Sequence, residues 1–273
     1  MPTAAELLAA AGAQDRLSAE RLLAHRLGRP RSWLYAHGEK PVPAAAAEGL
    51  RGDLTRLRQG EPLAYLLGSW EFYSLPLKVT TDTLVPRPET ELLVEAVLDL
   101  TESTWDGTLV DLGTGSGAIA VAVAAHRPAA KITAVDISGP ALAVARENFD
   151  RHGCSRIETL QGSWWEPLGD RLFDVVVSNP PYVMPGDPRM TTRGEPELAL
   201  LGGSDGLEAY RQLAEGLPQH LHRGGSLLLE HGLDQRQVLS ELFAPGFEHL
   251  DTIDDHAGHP RVIRALGYRG AVS

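Results

Sequence analysis

Residues 109–125, LVDLGTGSGAIAVAVAA, decide the fold. The stretch begins with a short apolar run containing an acid, continues with glycine at every second position, and ends in a helix-forming segment rich in alanine and valine. A glycine-rich turn between a buried strand and a helix is typical of α/β sheets, because a backbone without Cβ atoms lets a nucleotide-like ligand approach the chain. The stretch therefore predicts a strand, a ligand-binding turn and a helix.

Strands and helices continue to alternate after this stretch. Apolar strands are predicted at 132–136, 157–161, 174–178 and 226–230, and helices at 118–125, 141–152 and 207–217. Strands that are apolar on both faces and separated by helices indicate a mostly parallel sheet with helices on both sides, which is a doubly wound α/β fold. Two short final segments, 249–253 and 261–265, predict an antiparallel pair at the sheet edge.

The part of the chain before this domain has a different pattern. Residues 1–60 repeat apolar residues at helical spacing and begin with a capping box at Thr3 and Glu6, so they predict a small all-helical domain. Residues 61–85 contain short aromatic and β-branched stretches, which predict a hairpin-like connector. A helix over 89–100 then opens the second domain, residues 86–273.

Composition excludes several classes of protein. A net charge of −11 argues against a broad nucleic-acid-binding surface, and no apolar run approaches the roughly 18 residues of a membrane helix. The N-terminus lacks the basic and apolar blocks of an export signal, so we expect a cytoplasmic protein that does not bind membranes. The single cysteine, Cys154, and the spacing of His231, His256 and His259 match no zinc motif, and we expect no metal.

The glycine turn and a second acid predict a cofactor site. Asp136 ends the next predicted strand, where Rossmann-type folds place the carboxylate that binds ribose hydroxyls. The turn differs from the spacing that binds a pyrophosphate, so S-adenosyl-L-methionine suits it better than a dinucleotide. Trp164 follows the third strand and is suited either to packing on an adenine ring or to ordinary core packing. The candidate cofactor residues are Gly113, Thr114, Gly115, Ser116, Gly117, Asp136 and Trp164. The alternative is a purely structural turn with Asp136 as a helix cap.

A second motif, Asn179-Pro180-Pro181-Tyr182, ends the fourth predicted strand beside the first. Two prolines stiffen this backbone and hold its carbonyl groups in place. The Asn179 side-chain oxygen and the Pro180 carbonyl are suited to accept two hydrogen bonds from a planar NH₂ group, and Tyr182 to stack on it. The motif therefore predicts catalysis by orienting a poorly nucleophilic amide or ring nitrogen. A stiff loop without chemistry is the alternative.

Together these motifs resemble a known family. Asn179 to Tyr182 and 111–117 are similar to class I (Rossmann-like) methyltransferases that act on planar nitrogen. The stretches 68–73, 84–91, 195–200, 205–207 and 229–232 resemble the peptide chain release factor glutamine methyltransferases, HemK/PrmC, from about residue 60 onward. One departure is Ser163, where many members carry an acid.

The resemblance implies methyl transfer from S-adenosyl-L-methionine to the glutamine of the Gly-Gly-Gln loop in class I release factors. It assigns Asn179 to the cofactor site as well, and Asn179, Pro180, Pro181 and Tyr182 to glutamine binding, with a helical N-terminal domain that binds the protein substrate. Arg87, Glu89 and Glu91 are candidates for orienting the Asn179 loop, or else ordinary helix-terminal charges. We expect a monomer that makes no direct contact with nucleic acid.

Three other activities stay open on the sequence alone. Ribosomal protein uL3 glutamine methyltransferases have a similar core, although they usually carry Pro-Arg-Ser-Pro where this chain has Pro86 to Glu89. An adenine or guanine amino-methyltransferase would use the same amide trap but needs basic clusters and a base-flipping pocket. A binding module would hold the cofactor without turnover.

Overall fold

The computed structural model describes residues 1–187 and 194–270. Contacts within the chain divide them into two compact units. The first consists mainly of Met1–Ser69, and the second contains the other described residues apart from Gly194. The predicted catalytic domain, 86–273, includes residues 188–193 and 271–273, which lie outside the described residues. The predicted domain boundaries themselves stay a prediction.

The first unit is all-helical in its described part before the hairpin that follows it. Its helices are α1 (Ala4–Ala11), α2 (Arg16–Leu27), α3 (Arg31–Ala36), α4 (Ala44–Arg58) and α5 (Leu63–Leu67). The predicted capping box is present, since the Thr3 hydroxyl accepts from the Glu6 amide while the Glu6 carboxylate accepts from the Thr3 amide. The short helices α3 and α5 were not predicted, because five or six residues are too few to show a helical period.

The core of this unit is formed by the apolar faces of the helices. Leucines and alanines of α1, α2 and α4 pack together out of contact with water. Arg26 on α2 donates two hydrogen bonds to the Asp53 carboxylate on α4, at 2.5 and 2.7 Å. Asp53 is buried, so this bidentate pair fixes the packing of α2 against α4 as well as satisfying the carboxylate.

A two-stranded hairpin follows the helices, as predicted for the connector. It consists of β1 (Ser69–Phe72) and β2 (Leu75–Lys78), both of which lie within the predicted connector, 61–85. The two residues between the strands, Tyr73 and Ser74, both have positive φ, at 48° and 62°. Such a turn has the twist that two-residue hairpins require, even without the usual asparagine and glycine.

The second unit contains a seven-stranded sheet. Its strands are β3 (Thr108–Leu112), β4 (Lys131–Asp136), β5 (Glu158–Gln161), β6 (Phe173–Ser178), β7 (Leu221–Glu230), β8 (Phe247–Asp254) and β9 (Pro260–Tyr268). The order across the sheet is β5-β4-β3-β6-β7-β9-β8. Strands β3 to β7 pair in parallel, and β9 runs antiparallel to both β7 and β8. The predicted parallel sheet with an antiparallel edge pair is thus confirmed.

Helices cover both faces of this sheet and create two separate cores. The helices of this unit are α6 (Glu91–Leu100), α7 (Ala118–His126), α8 (Gly139–Arg151), α9 (Glu208–His220) and α10 (Arg236–Phe243). One core contains residues of α6, α7 and α8, and the other contains residues of α9 and α10. Alternate residues of each central strand enter opposite cores: Leu109 faces the first and Val110 the second. The doubly wound arrangement is therefore as predicted.

Two helices of the second unit differ from the prediction. The predicted helix 89–100 starts with a 3₁₀ turn, Pro88–Thr90, and becomes α-helical only at Glu91. Helix α10 was not predicted. No helix within residues 1–187 and 194–270 is both long enough and apolar enough to cross a membrane.

Candidate active site

A cavity of about 410 Å³ opens at the carboxyl ends of β3, β4 and β6. In open α/β sheets this edge is the usual ligand site, and the volume is within the range of small-molecule pockets. It is lined by the glycine loop, the end of β4, the start of the loop after β6 and the segment before α9. The predicted site residues among its lining are Gly113, Thr114, Gly115, Ser116, Asp136, Trp164, Asn179 and Pro181.

The glycine loop has a backbone that other residues adopt with difficulty. Gly113, Gly115 and Gly117 all have positive φ, at 75°, 56° and 79°. A Cβ atom at Gly117 would lie 2.5 Å from the Phe149 ring of α8, so this glycine lets α7 pack closely against α8. A Cβ atom at Gly115 would instead point into open space. The loop therefore combines a close internal contact with a bare surface toward the cavity.

Asp136 lies at the end of β4, and its two carboxylate oxygens bond the glycine loop and the backbone at the start of α8. Its Oδ2 accepts from the Gly115 amide at 2.8 Å, and its Oδ1 accepts from the Ser138 amide at 2.9 Å. Burial raises the pKa of Asp136 above its usual range. The Ile137 amide also bonds this carboxylate. A carboxylate has about four acceptor positions, so about one remains once the bonds from the described residues are counted. An acceptor position beside an open glycine surface fits the ribose of S-adenosylmethionine.

A second carboxyl group lies beneath the glycine loop. Asp111 on β3 is fully buried and accepts a hydrogen bond from the Thr114 hydroxyl at 2.6 Å. Burial raises the pKa of Asp111 to about 7, although the bond from Thr114 acts in the opposite direction. This bond closes the turn from beneath, and its strength depends on the charge of Asp111 near neutral pH.

Trp164 lies beside the same loop in a strained conformation. Its φ is 46°, which is unusual for a bulky residue, and its ring carbon Cζ3 lies 3.7 Å from the position of a Cβ atom built at Gly113. Backbone strain of this kind costs roughly 1–3 kcal/mol and is common at ligand sites. Ser163, which lines the cavity next to Trp164, occupies the place of the expected acid.

Asn179 follows β6 directly and lines the same cavity as the glycine loop. Its Nδ2 donates to the Thr90 hydroxyl oxygen at 3.0 Å. The Thr90 hydroxyl in turn donates to Oε2 of Glu230 at 2.6 Å, and the Tyr182 hydroxyl donates to Oε1 of Glu230 at 3.2 Å. We call Asn179, Thr90, Glu230 and Tyr182 the amide relay. The Asn179 oxygen is not used in these bonds.

The other residues of the Asn-Pro-Pro-Tyr motif have different positions. Pro181 lines the cavity, whereas Pro180 is buried and Tyr182 is half-buried, and neither is among the described lining residues. The Tyr182 ring packs against the core that contains α9 and α10. The geometry thus brings Asn179 and Pro181 to the cavity with the cofactor candidates and leaves Tyr182 bonded to Glu230. The assigned roles of all four residues stay predictions.

The backbone after the motif is held by the segment that precedes α9. The Val183 amide donates to the Leu200 carbonyl oxygen at 2.8 Å, and the Val183 carbonyl oxygen accepts from the Gly202 amide at 3.0 Å, which forms a parallel bridge between Val183 and Leu201. A Cβ atom at Gly202 would lie 2.6 Å from the Pro181 carbonyl oxygen. Only glycine allows this close approach, so the segment presses directly on the motif.

Of the three charged candidates near residue 90, two have hydrogen-bond partners among the described residues. Arg87 donates to the buried Glu195 carboxylate at 2.5 Å, and Glu195 also accepts from the Val85 amide at 3.0 Å. Glu91 accepts from the Tyr73 amide of the hairpin turn at 2.7 Å. Within the described residues, the hydrogen-bond partner of the Asn179 side chain is Thr90, which lies between Glu89 and Glu91 in the sequence.

Sequence reasoning missed the inner members of the amide relay. Thr90 and Glu230 both lie within stretches used for the resemblance, 84–91 and 229–232. The sequence analysis therefore included both residues but assigned neither of them a role. Another missed residue is Asn148 on α8, whose side chain bonds the Lys78 backbone and the Ser116 carbonyl oxygen, so that it supports the glycine loop. No group of three or more His, Cys, Asp or Glu in the described part of the chain is arranged to hold a metal ion.

Comparisons with known proteins agree with this geometry. A model of the methyltransferase small domain matches residues 88–193, and a model of the PrmC N-terminal domain matches residues 3–68. The release factor glutamine methyltransferase of Xylella fastidiosa is 43% identical over 267 residues, covering 96% of this chain and 97% of that protein. The protein of the same name from Vibrio cholerae is 44% identical, covering 90% and 87%.

This chain belongs to the release factor glutamine methyltransferase family. The membership confirms the predicted resemblance and the prediction of a methyltransferase that uses S-adenosyl-L-methionine. The fold is also found in a methyltransferase from Pyrococcus furiosus, with a TM-score of 0.56 and 20% identity, covering 81% of this chain and 99% of that one. A class I methyltransferase domain with an N-terminal helical region, as predicted, is therefore the architecture of this family member.

Proposed function

We propose that this protein methylates the side-chain nitrogen N5 of the glutamine in the Gly-Gly-Gln loop of class I peptide chain release factors. The observation that carries the proposal is the position of Asn179, which lines the same cavity as the glycine loop and Asp136 and whose side-chain oxygen makes no hydrogen bond within the described residues. Relatives named for this reaction, at 40–44% identity, support the choice of substrate.

The two sides of the cavity divide the work. The Asp136 carboxylate and the glycine loop bind the ribose part of the donor, and Trp164 packs beside its adenine. S-adenosylmethionine supplies an electrophilic methyl group on a sulfonium sulfur. Asn179 and the Pro180 carbonyl accept the two N–H bonds of the glutamine amide, and Pro181 keeps that backbone rigid. The chemistry of each residue supports its role, and a place in the cavity lining also supports the roles of Asp136, Trp164, Asn179 and Pro181.

The chemical difficulty is that an amide nitrogen is a poor nucleophile. Two acceptors that hold both N–H bonds favour a pyramidal nitrogen, whose lone pair then points toward the methyl group. The N–CH₃ bond forms as the S–CH₃ bond breaks, and the nitrogen afterwards loses one proton to water. No strong base is required, since the rate enhancement comes from orientation and electrostatics.

The helical N-terminal unit is proposed to bind the release factor protein, because the chain matches the PrmC N-terminal domain there and a loop as small as Gly-Gly-Gln fills little of an interface. Such a substrate belongs to translation, and the reaction is accordingly proposed to occur in the cytoplasm. We propose that the enzyme acts as a monomer and makes no direct contact with nucleic acid.

A transfer assay with labelled S-adenosylmethionine tests the proposal. The acceptors are a purified class I release factor, the same factor with Gln→Ala in its Gly-Gly-Gln loop, duplex DNA and the ribosomal protein uL3. We expect label on the wild-type release factor alone. Label on DNA or on the ribosomal protein in preference to the release factor would refute the proposed substrate, and no label on any acceptor would refute the proposed reaction.

A further inference from the structure

The amide relay restricts which way the Asn179 side chain can face. A hydroxyl group has one proton to donate, and Thr90 uses it toward Glu230 at 2.6 Å. Thr90 must therefore accept, and not donate, in its contact with Asn179. An acceptor at this place selects the NH₂ end of the Asn179 amide and leaves its carbonyl oxygen for the cavity.

Glu230 determines the direction of this chain of bonds. It ends β7 with 2% of its surface exposed, and both of its carboxylate oxygens accept hydroxyl protons, from Thr90 and Tyr182. An ionised carboxylate can only accept, so it draws the Thr90 proton toward itself. Its backbone carbonyl oxygen is bonded by the Tyr210 hydroxyl at 2.8 Å, which holds the strand end in place.

The charge of Glu230 is sensitive to pH near neutrality. Burial raises the pKa of Glu230 to about 7; the bonds from Thr90 and Tyr182 lower it, the nearby charge of Glu89 raises it and that of Arg261 lowers it. A protonated Glu230 could donate to Thr90, whose own proton would then face Asn179. The Asn179 amide would then rotate, so that its NH₂ group faces the NH₂ group of the substrate and cannot accept a hydrogen bond from it.

We infer that Thr90 and Glu230 are positioning residues that keep the Asn179 side-chain oxygen, and not its NH₂ group, facing the substrate glutamine. The inference rests on the proposed function and deepens it. Neither residue touches the reacting atoms in this scheme; both act through Asn179. The amide relay thus holds the Asn179 side-chain amide in one orientation, in which its oxygen can accept a hydrogen bond from the substrate.

The sequence offers a direct spectroscopic test, since it contains only two asparagines, Asn148 and Asn179. Protein labelled with ¹⁵N at the asparagine side chain gives two pairs of amide signals. We expect Thr90→Val to shift the Asn179 pair and to speed its hydrogen exchange about tenfold or more. The Asn148 pair, whose partners are elsewhere, reports whether the variant is folded. An unchanged Asn179 pair in a folded Thr90→Val protein would overturn the inference.

Transfer kinetics on the release factor provide the second test. Thr90→Val should lower kcat by roughly 10- to 100-fold while changing the Kd for S-adenosylmethionine by less than about threefold, and Thr90→Ser should restore most of kcat. The matched control is Thr133→Val, which removes another buried threonine hydroxyl on β4, in 3.4 Å contact with Glu158. Equal rates for Thr90→Val and Thr133→Val would overturn the inference.

The pH dependence separates positioning from packing. We expect the wild-type kcat to fall below an apparent pKa of about 7, and the Asn179 signals to titrate in parallel; Glu230→Gln should remove both effects. If the Asn179 signals still changed with pH in Glu230→Gln, the pH dependence would come from another group, and the role of Glu230 would be overturned. A wild-type protein that transfers no methyl group would refute the proposed function, whereas normal transfer with normal Thr90→Val kinetics would refute only the inference.

Discussion

The two sides of the cavity are built in different ways. The cofactor side consists of three alternating glycines and one acid on the neighbouring strand, joined by a bond across 21 positions of the chain. The substrate side depends on side chains far apart in sequence, because Asn179 reaches Thr90 across 89 positions and Thr90 reaches Glu230 across 140. The first side is a property of one supersecondary unit, whereas the second exists only when the sheet is complete.

The largest effect should come from removing the acceptor on the substrate side. We expect Asn179→Ala to lower kcat about 10³-fold, because one preorganised hydrogen bond at a reacting group contributes about that much. Binding of S-adenosylmethionine, measured by calorimetry, should weaken far less than the rate. If Asn179→Ala bound cofactor and release factor normally and still transferred methyl groups at the wild-type rate, the two sides would not divide the work as described.

A smaller effect should follow from removing the acid on the cofactor side. Asp136→Ala deletes the acceptor for ribose hydroxyls and the bond to the Gly115 amide. We expect the Kd for S-adenosylmethionine to rise about 100-fold, while kcat at saturating cofactor changes less than tenfold. Asp99→Ala on α6 is a control that changes the same charge outside the cavity lining. A loss of kcat without a change in Kd would contradict the comparison.

The stability of the protein should depend on pH through its buried acids. Since burial raises the pKa values of Asp111 and Glu230 to about 7, their protonated forms stabilise the fold. This stabilisation is full below the unfolded pKa values, near 4, and is lost as pH rises through about 7. Urea unfolding at pH 5 and pH 8 should show the loss, and Glu230→Gln should reduce it by roughly 1–3 kcal/mol. An identical pH dependence in the variant would show that Glu230 titrates normally.

The smallest effect should come from restoring the acid that many family members carry. Ser163→Asp places a carboxylate in the cavity lining beside Trp164, where an adenine amino group is a donor. We expect the affinity for S-adenosylmethionine to rise up to about fivefold, with kcat unchanged. Weaker binding would show that this chain places the adenine elsewhere.

The comparison also explains which features could be predicted from the sequence. Strands that are buried on both faces, such as β3 and β6, appear as mainly apolar runs, and the glycine turn and Asp136 have fixed places relative to them. The amide relay could not be predicted, because Thr90 belongs to a 3₁₀ turn and Glu230 to the end of a strand without any local pattern that joins them. The location of Asn179 at the sheet edge could be predicted from the sequence. The orientation of its side-chain amide could not, because it depends on partners that only folding brings together.

The helical elements show the same limit at a smaller scale. The longer helices α2 and α4 lie within residues 1–60, where apolar residues repeat at helical spacing, whereas α3 and α5 are too short to show a period. The hairpin turn of Tyr73 and Ser74 uses positive φ without glycine, so the usual turn signal was missing. Local sequence patterns predict an element only when the element is long enough, or its turn chemistry usual enough, to leave a signal.

The order of the last strands has a consequence for biosynthesis. Among the described strands, β8 pairs only with β9, and β9 separates it from β7. A growing chain on the ribosome therefore produces β8 before the strand that attaches it, and β7 keeps an open edge until residues 260–268 have emerged. Because unpaired edges of buried strands readily pair with other chains, the nascent enzyme is most exposed to aggregation in this late interval. A stop codon within β9 would fix the chain in that state, although every described residue of the cavity lining had already been made.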